Sequence, residues 1–174
     1  MTNDEVQKAW LALAQDVRTG VLLTLRNGRP FGSHVPYLFG SDWTRAYLHL
    51  SRLALHTQHL LADPRVSLFV ADADRPDKNP LSLKRMNLQG EAALLPSSEE
   101  SYRTVTGQYL ARFPTAAPMF GFSDFSLWEL KLKEAHLVLG FGEAYLSTAA
   151  APSAWTHQKP EWKFPANEGM PPRR

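Results

Sequence analysis

The sequence predicts a mainly β fold with peripheral helices, built as a small antiparallel barrel. Three observations carry this. Short apolar runs with period-two alternation recur along the chain, as half-buried strands require. Tight turn signals join consecutive runs, which makes antiparallel meanders. Helical periodicity is confined to a few segments and never alternates regularly with the strands, which argues against a doubly wound parallel sheet.

The first element is a helix over residues 2–17. Thr2 and Glu5 have capping-box spacing, and Val6, Trp10, Leu13 and Val17 recur on one face. Val21–Arg26 reads as a strand, and Asn27-Gly28 as a two-residue hairpin turn, since both central residues of a type I′ turn need positive φ. The next strand is expected over 32–39. Pro30 and Pro36 lie in or beside it, so part of it belongs at an edge or a bulge. Arg45–Leu50 is a third strand. Ser51 is expected to cap a helix over 53–62, which Asp63-Pro64 stops.

Val66–Val70 is a short strand, 72–82 a loop, and 83–95 a long strand with a bend or bulge at Gly90. A third helix is expected over 98–112 and irregular chain over 113–125. Ser126–Lys133 alternates as a strand, Glu134-Ala135 reads as a tight connection, and His136–Gly142 as the next strand. Five of the thirteen prolines fall in residues 152–174, so 149–174 reads as a Pro-rich arm or tail behind a domain of 1–148.

With 174 residues, 44% of them apolar, the chain is one globular domain that needs no staple to fold. The absence of cysteine excludes disulfides, thiol catalysis and cysteine-ligated zinc or iron–sulfur clusters. A polar start at Met1–Glu5 and the lack of any long apolar run lead us to expect a cytoplasmic protein without membrane contact. A net charge of +2 gives no reason to expect nucleic-acid binding.

Several motifs are weak. Gly140-Phe141-Gly142 lacks the third glycine, the helix and the βαβ setting of a dinucleotide fingerprint. The six histidines show no metal-ligand spacing, so no metal site is expected. No nucleophile elbow or phosphate-binding P-loop is present. The start of the helix after Ser51 is more informative. Helix N-termini favour anions, and Arg52, His56 and Thr57 add donors, with Arg85 a second cationic contact.

The run His49–Thr57 continuing to Leu60–Leu68 resembles the strand–helix–strand segment of the pyridoxamine-phosphate-oxidase-like FMN-binding split barrels. Gly32–Tyr37, Arg85–Ala92 and Phe125–Ala144 resemble the haem-utilisation branch of that superfamily. The resemblance spans about residues 5–146 and implies a six- or seven-stranded antiparallel split β-barrel. It implies a flavin lying along His34, Val35, Pro36 and Tyr37. His49, Leu50 and Ser51 would line the ribityl chain and phosphate, His56 and Thr57 the phosphate, and Arg85 and Gln89 would approach from the long strand. It also implies a homodimer with sites between subunits and a small-molecule substrate. The oxidases carry an Arg-Lys pair where Leu55-His56 stands here, which implies a less positive phosphate pocket. Their C-terminal Trp-plus-Arg grip on pyridoxine phosphate has no clear match here, although Trp155 and Trp162 are present.

The first expectation is therefore an FMN-dependent oxidoreductase, in which the flavin carries the chemistry. A haem-binding or haem-degrading protein of the same fold is the alternative. His157 would then be the candidate axial ligand, with Arg75 and Arg85 near the propionates. A non-catalytic ligand-binding module is the third reading.

Overall fold

The structure, a computed structural model, describes residues 1–148 and 154–158. Helix α1 spans Asn3–Asp16, and the Thr2–Glu5 capping box forms in both directions. Strands β1 (Thr19–Arg26) and β2 (Arg29–Pro36) pair as a hairpin through Asn27 and Gly28, whose φ values of 52° and 74° are those the type I′ turn demands. Both prolines sit in β2, which ends the sheet, so no ladder bond is lost on its outer edge. The second strand differs from expectation. It stops at Pro36, and a separate β3 covers Leu38–Phe39. Between them the Tyr37 N–H bonds the Arg18 carbonyl at 3.3 Å and its hydroxyl donates to the Val17 carbonyl at 2.5 Å, turning the chain out of register.

Strand β4 (Arg45–Ser51) leads through a turn into α2 (Leu55–Ala62), followed by β5 (Arg65–Ala71) and β6 (Arg85–Leu94). Helix α3 covers Ser101–Arg112, and the expected irregular stretch contains a 3₁₀ segment over Pro114–Gly121. A single β7 runs from Phe125 to Gly140, where two strands and a connection were expected. It turns through Phe141-Gly142 into β8 (Glu143–Thr148), and β9 (Thr156–His157) pairs with β8. The arm expected over 149–174 otherwise lies outside the described residues.

The sheet order is β2-β1-β5-β6-β7-β4-β3, all neighbours antiparallel. This is an antiparallel split barrel. The split lies along β7, whose residues 125–131 pair with β4 and whose residues 134–140 pair with β8. A bulge marks the changeover. Gln89 faces Glu134 but Gly90 faces Leu132, leaving Lys133 as the extra residue. A Cβ at Gly90 would stand 2.0 Å from the Lys131 carbonyl oxygen, so only glycine fits there.

The barrel interior is filled by Leu22, Val35, Leu48, Leu68, Met86, Leu88 and Leu130, with Val6, Trp10 and Leu13 of α1 packed against them. A second core lies on the other side of β4, where Tyr47 and Leu127 meet Val105, Tyr109 and Phe113. Strand β4 is thus covered on both faces, which accounts for its unbroken burial from Ala46 to Leu50. Among the described residues no helix is long and apolar enough to cross a membrane.

Candidate functional site

The junction of β4 and α2 is organised differently from a simple helix cap. The residue at the cap position is Ala54, which makes no side-chain cap bond. The Ser51 hydroxyl instead donates to Asp124 Oδ2 at 2.6 Å and accepts from the Leu53 N–H at 3.1 Å. The Arg52 N–H reaches the Asp124 carbonyl at 2.7 Å, so this turn is tied to the approach to β7. Beside it lies a cavity of about 280 Å³ lined by Leu50, Arg52, Thr57, Leu61, Leu94, Ser126 and Trp128. Thr57 and Trp128 are buried, and neither Thr57 Oγ1 nor Trp128 Nε1 has a hydrogen-bond partner.

The histidines of this region serve other contacts. His49 stacks flat on Phe120 at 3.8 Å within the second core, and burial pushes its pKa down to about 4. His59 is buried, with Nδ1 3.0 Å from Thr24 Oγ1 and Phe31 edge-on to its ring. His56 is half-buried; burial, reinforced by the neighbouring His59, holds its pKa below the ordinary value. It is therefore neutral at neutral pH, and Leu55 beside it is 45% exposed.

The remaining candidates lie elsewhere. Val35 and Tyr37 point into the barrel. His34, Pro36, Arg85 and Gln89 face outward, on the side where register aligns His34, Val21, Phe69, Asn87 and His136 in one row. Two open grooves cross this outer face. One, of about 480 Å³, includes His34, Val21 and Phe69, and the other, of about 520 Å³, includes Gln89, Leu23 and Ser67. Arg85 donates to the Leu81 and Leu83 carbonyls. It begins β6, whereas Leu94 at the cavity ends it, about 30 Å away at a strand's rise of about 3.4 Å per residue. One protomer therefore does not bring Arg85 to Ser51 and Thr57, and Gln89 lines the outer groove, not the junction cavity.

His157 is exposed and ordered by strand pairing. Its ring packs 5.1 Å from that of Tyr145, and Nε2 lies 3.1 Å from the Gly142 carbonyl. A carbonyl only accepts, so Nε2 carries a proton and donates, and Nδ1 is the ring nitrogen left for another partner. The strand is anchored on α1 by Trp155, whose indole packs on Trp10 and donates to Gln7 Oε1 at 2.7 Å. His157 pairs with Tyr145, which shares the inward face of Leu137 and Met86; Arg85 faces the opposite way. Among the described residues no group of three or more His, Cys, Asp or Glu could hold a metal ion.

The sequence profile of the pyridoxamine 5′-phosphate oxidase family matches residues 6–139. The chain belongs to that family. Among its relatives is the chloroplastic heme oxygenase HOZ of Arabidopsis thaliana, 34% identical over 154 residues, which cover 83% of this chain and 46% of the relative. The chain thus spans about half the length of that protein. Heme oxygenase HutZ of Vibrio cholerae is 26% identical over 133 residues, covering 75% of this chain and 74% of HutZ. Among solved structures, a heme binding protein from Mycobacterium smegmatis superposes with a TM-score of 0.75 at 26% identity, over 88% of this chain and 60% of that one.

Sequence reasoning did not single out Trp128, Leu61 or Leu94. Period-two alternation marks Trp128 only as a buried strand residue, and nothing local reveals that its N–H lacks a partner.

Proposed function

We propose that this protein binds haem, with His157 as the axial ligand and a second copy of the chain completing the site. The observation that carries this is the His157 ring itself. It is exposed, oriented by the Gly142 carbonyl, and offers a bare Nδ1. A histidine that ligates a metal through one nitrogen while donating from the other to a carbonyl has its tautomer fixed in advance. The heme oxygenase and heme-binding relatives add weight to the same reading.

Bound haem would supply an iron centre open to redox and oxygen chemistry. This chain would contribute the His157 ligand, the Tyr145 ring beside it, and Arg75 and Arg85 as propionate partners. Because Arg85 faces away from His157 within one protomer, both reach one haem only if two copies meet. The outer face suits such a contact, since Val21, Leu23, Leu25 and Phe69 remain partly exposed there.

FMN is the second reading, drawn from the family relationship. The residues fit it less well. Where the oxidases carry an Arg-Lys pair, the start of α2 offers an exposed leucine and a histidine whose burial disfavours its charged form, so Arg52 is the one fixed cation lining the junction cavity. Haemin titration of the full chain tests the proposal. A saturating Soret shift that His157→Ala abolishes or moves is the expected result. Stoichiometric FMN binding together with a haemin spectrum unaffected by His157→Ala would overturn it. Adding ascorbate under oxygen to the haem complex then reports whether bound haem is consumed.

A further inference from the structure

We propose that Trp155 is a positioning residue for His157, and that its docking on helix α1 sets how tightly the chain binds haem. This rests on the haem reading above and adds to it a determinant that lies on α1.

Strand β9 cannot hold itself. It consists of Thr156 and His157 alone, paired with Leu146 and Tyr145, with one further bond from the Gln158 N–H to the Ala144 carbonyl at 2.7 Å. Fixing the backbone of so short a segment costs more than these few ladder bonds return. Side chains must supply the rest, and Ala154, Thr156, His157 and Gln158 are all exposed. Trp155 is the exception among the described residues 154–158. Its backbone N–H donates to Asn3 Oδ1 at 2.8 Å and its indole N–H to Gln7 Oε1 at 2.7 Å, while its ring lies 5.5 Å from that of Trp10. Asn3, Gln7 and Trp10 are spaced four and three residues apart, which puts them on one face of α1.

These contacts also fix register. Side chains two residues apart share a face of extended chain, and Trp155 and His157 meet Trp10 and Tyr145, both members of the barrel core. A slip of one residue along β8 would turn the His157 ring to the opposite face. With Trp155 undocked, only the fraction of chains that holds His157 in place is competent, and apparent affinity falls by that fraction.

Haemin titration of the full chain, read from the Soret band, compares wild type with Trp155→Ala and Gln7→Ala. Trp155→Ala should bind haemin about tenfold more weakly and reach the same Soret position at saturation, since His157 still ligates. Gln7→Ala, which removes only the acceptor of the indole N–H, should lose about threefold. Saturating imidazole supplies the axial nitrogen from solution, so in its presence wild type and Trp155→Ala should bind haemin equally well. In the haem-free protein the Gln158 amide should exchange its hydrogen at least about tenfold faster in Trp155→Ala. An affinity loss that imidazole leaves intact means general damage to the pocket and overturns the proposal. Unchanged haemin affinity or unchanged Gln158 exchange in Trp155→Ala overturns it as well. His157→Ala, run alongside, separates the two readings. Haemin binding that ignores His157→Ala overturns the haem assignment and this inference with it. A loss in His157→Ala without one in Trp155→Ala overturns this inference alone.

Discussion

Two polar side chains near the start of α2 show how burial and bonding decide what a residue does. His49 has the composition of a ligand but the surroundings of a core residue. Desolvation lowers its folded pKa from 6.5 to about 4. Between those values the unfolded chain holds a proton that the folded chain refuses, so stability is retained above about pH 6.5 and lost as pH falls toward 4. The urea midpoint should drop over that window, and His49→Phe should flatten part of the slope, with the half-buried His56 contributing the rest in the same direction. Ser51 makes the second case. Its hydroxyl links Leu53 and Asp124. Ser51→Ala should cost about 1–2 kcal/mol in chemical denaturation, by leaving both partners short of a bond. An unchanged midpoint would show that solvent replaces the hydroxyl there. The hydroxyl is legible in the sequence as a helix-start signal, but its partner lies 73 residues away, and no local pattern announces it.

Among the elements, the β1–β2 hairpin and the bend at Gly90 were readable because each rests on one residue's backbone freedom. Gly90→Ala places a methyl group against the Lys131 carbonyl and should destabilise the fold by about 3 kcal/mol or more, measured by thermal unfolding. A variant of wild-type stability would mean that the bulge shifts freely. The continuity of β7 was not readable, and the same bulge is the reason. Leu130 and Leu132 are buried at even positions, whereas Leu137 and Leu139 are buried at odd ones. The extra residue Lys133 flips the parity between them. In the sequence this slip looks like the end of one strand and the beginning of another. Glu134-Ala135 then reads as a turn, although both residues lie in extended chain.

For the whole molecule, the division of the candidate residues between two regions is the main finding. Ser51 and Thr57 lie at one junction, and His34, Pro36, Arg85 and Gln89 lie on the outer sheet face. The family resemblance, not any local pattern, grouped them, and it implies a homodimer with sites between subunits. Phe69 sits near the centre of that face, between Val21 and Asn87. If the proposed second copy docks on this face, Phe69→Glu should convert the dimer to a monomer in sedimentation experiments while leaving the circular dichroism spectrum intact, and it should weaken the proposed haem binding along with association. A variant that remains dimeric would place the contact elsewhere.

The way β7 serves both halves of the barrel has a consequence during synthesis. Strand β4 is buried on both faces, and among the described residues its sheet neighbours are the two-residue β3 and β7, the latter made more than seventy residues later. Until that segment clears the ribosome, the nascent chain carries a sticky strand with an open edge. Chains terminated before residue 125 should therefore be recovered as chaperone-bound or aggregated material, not as a folded fragment.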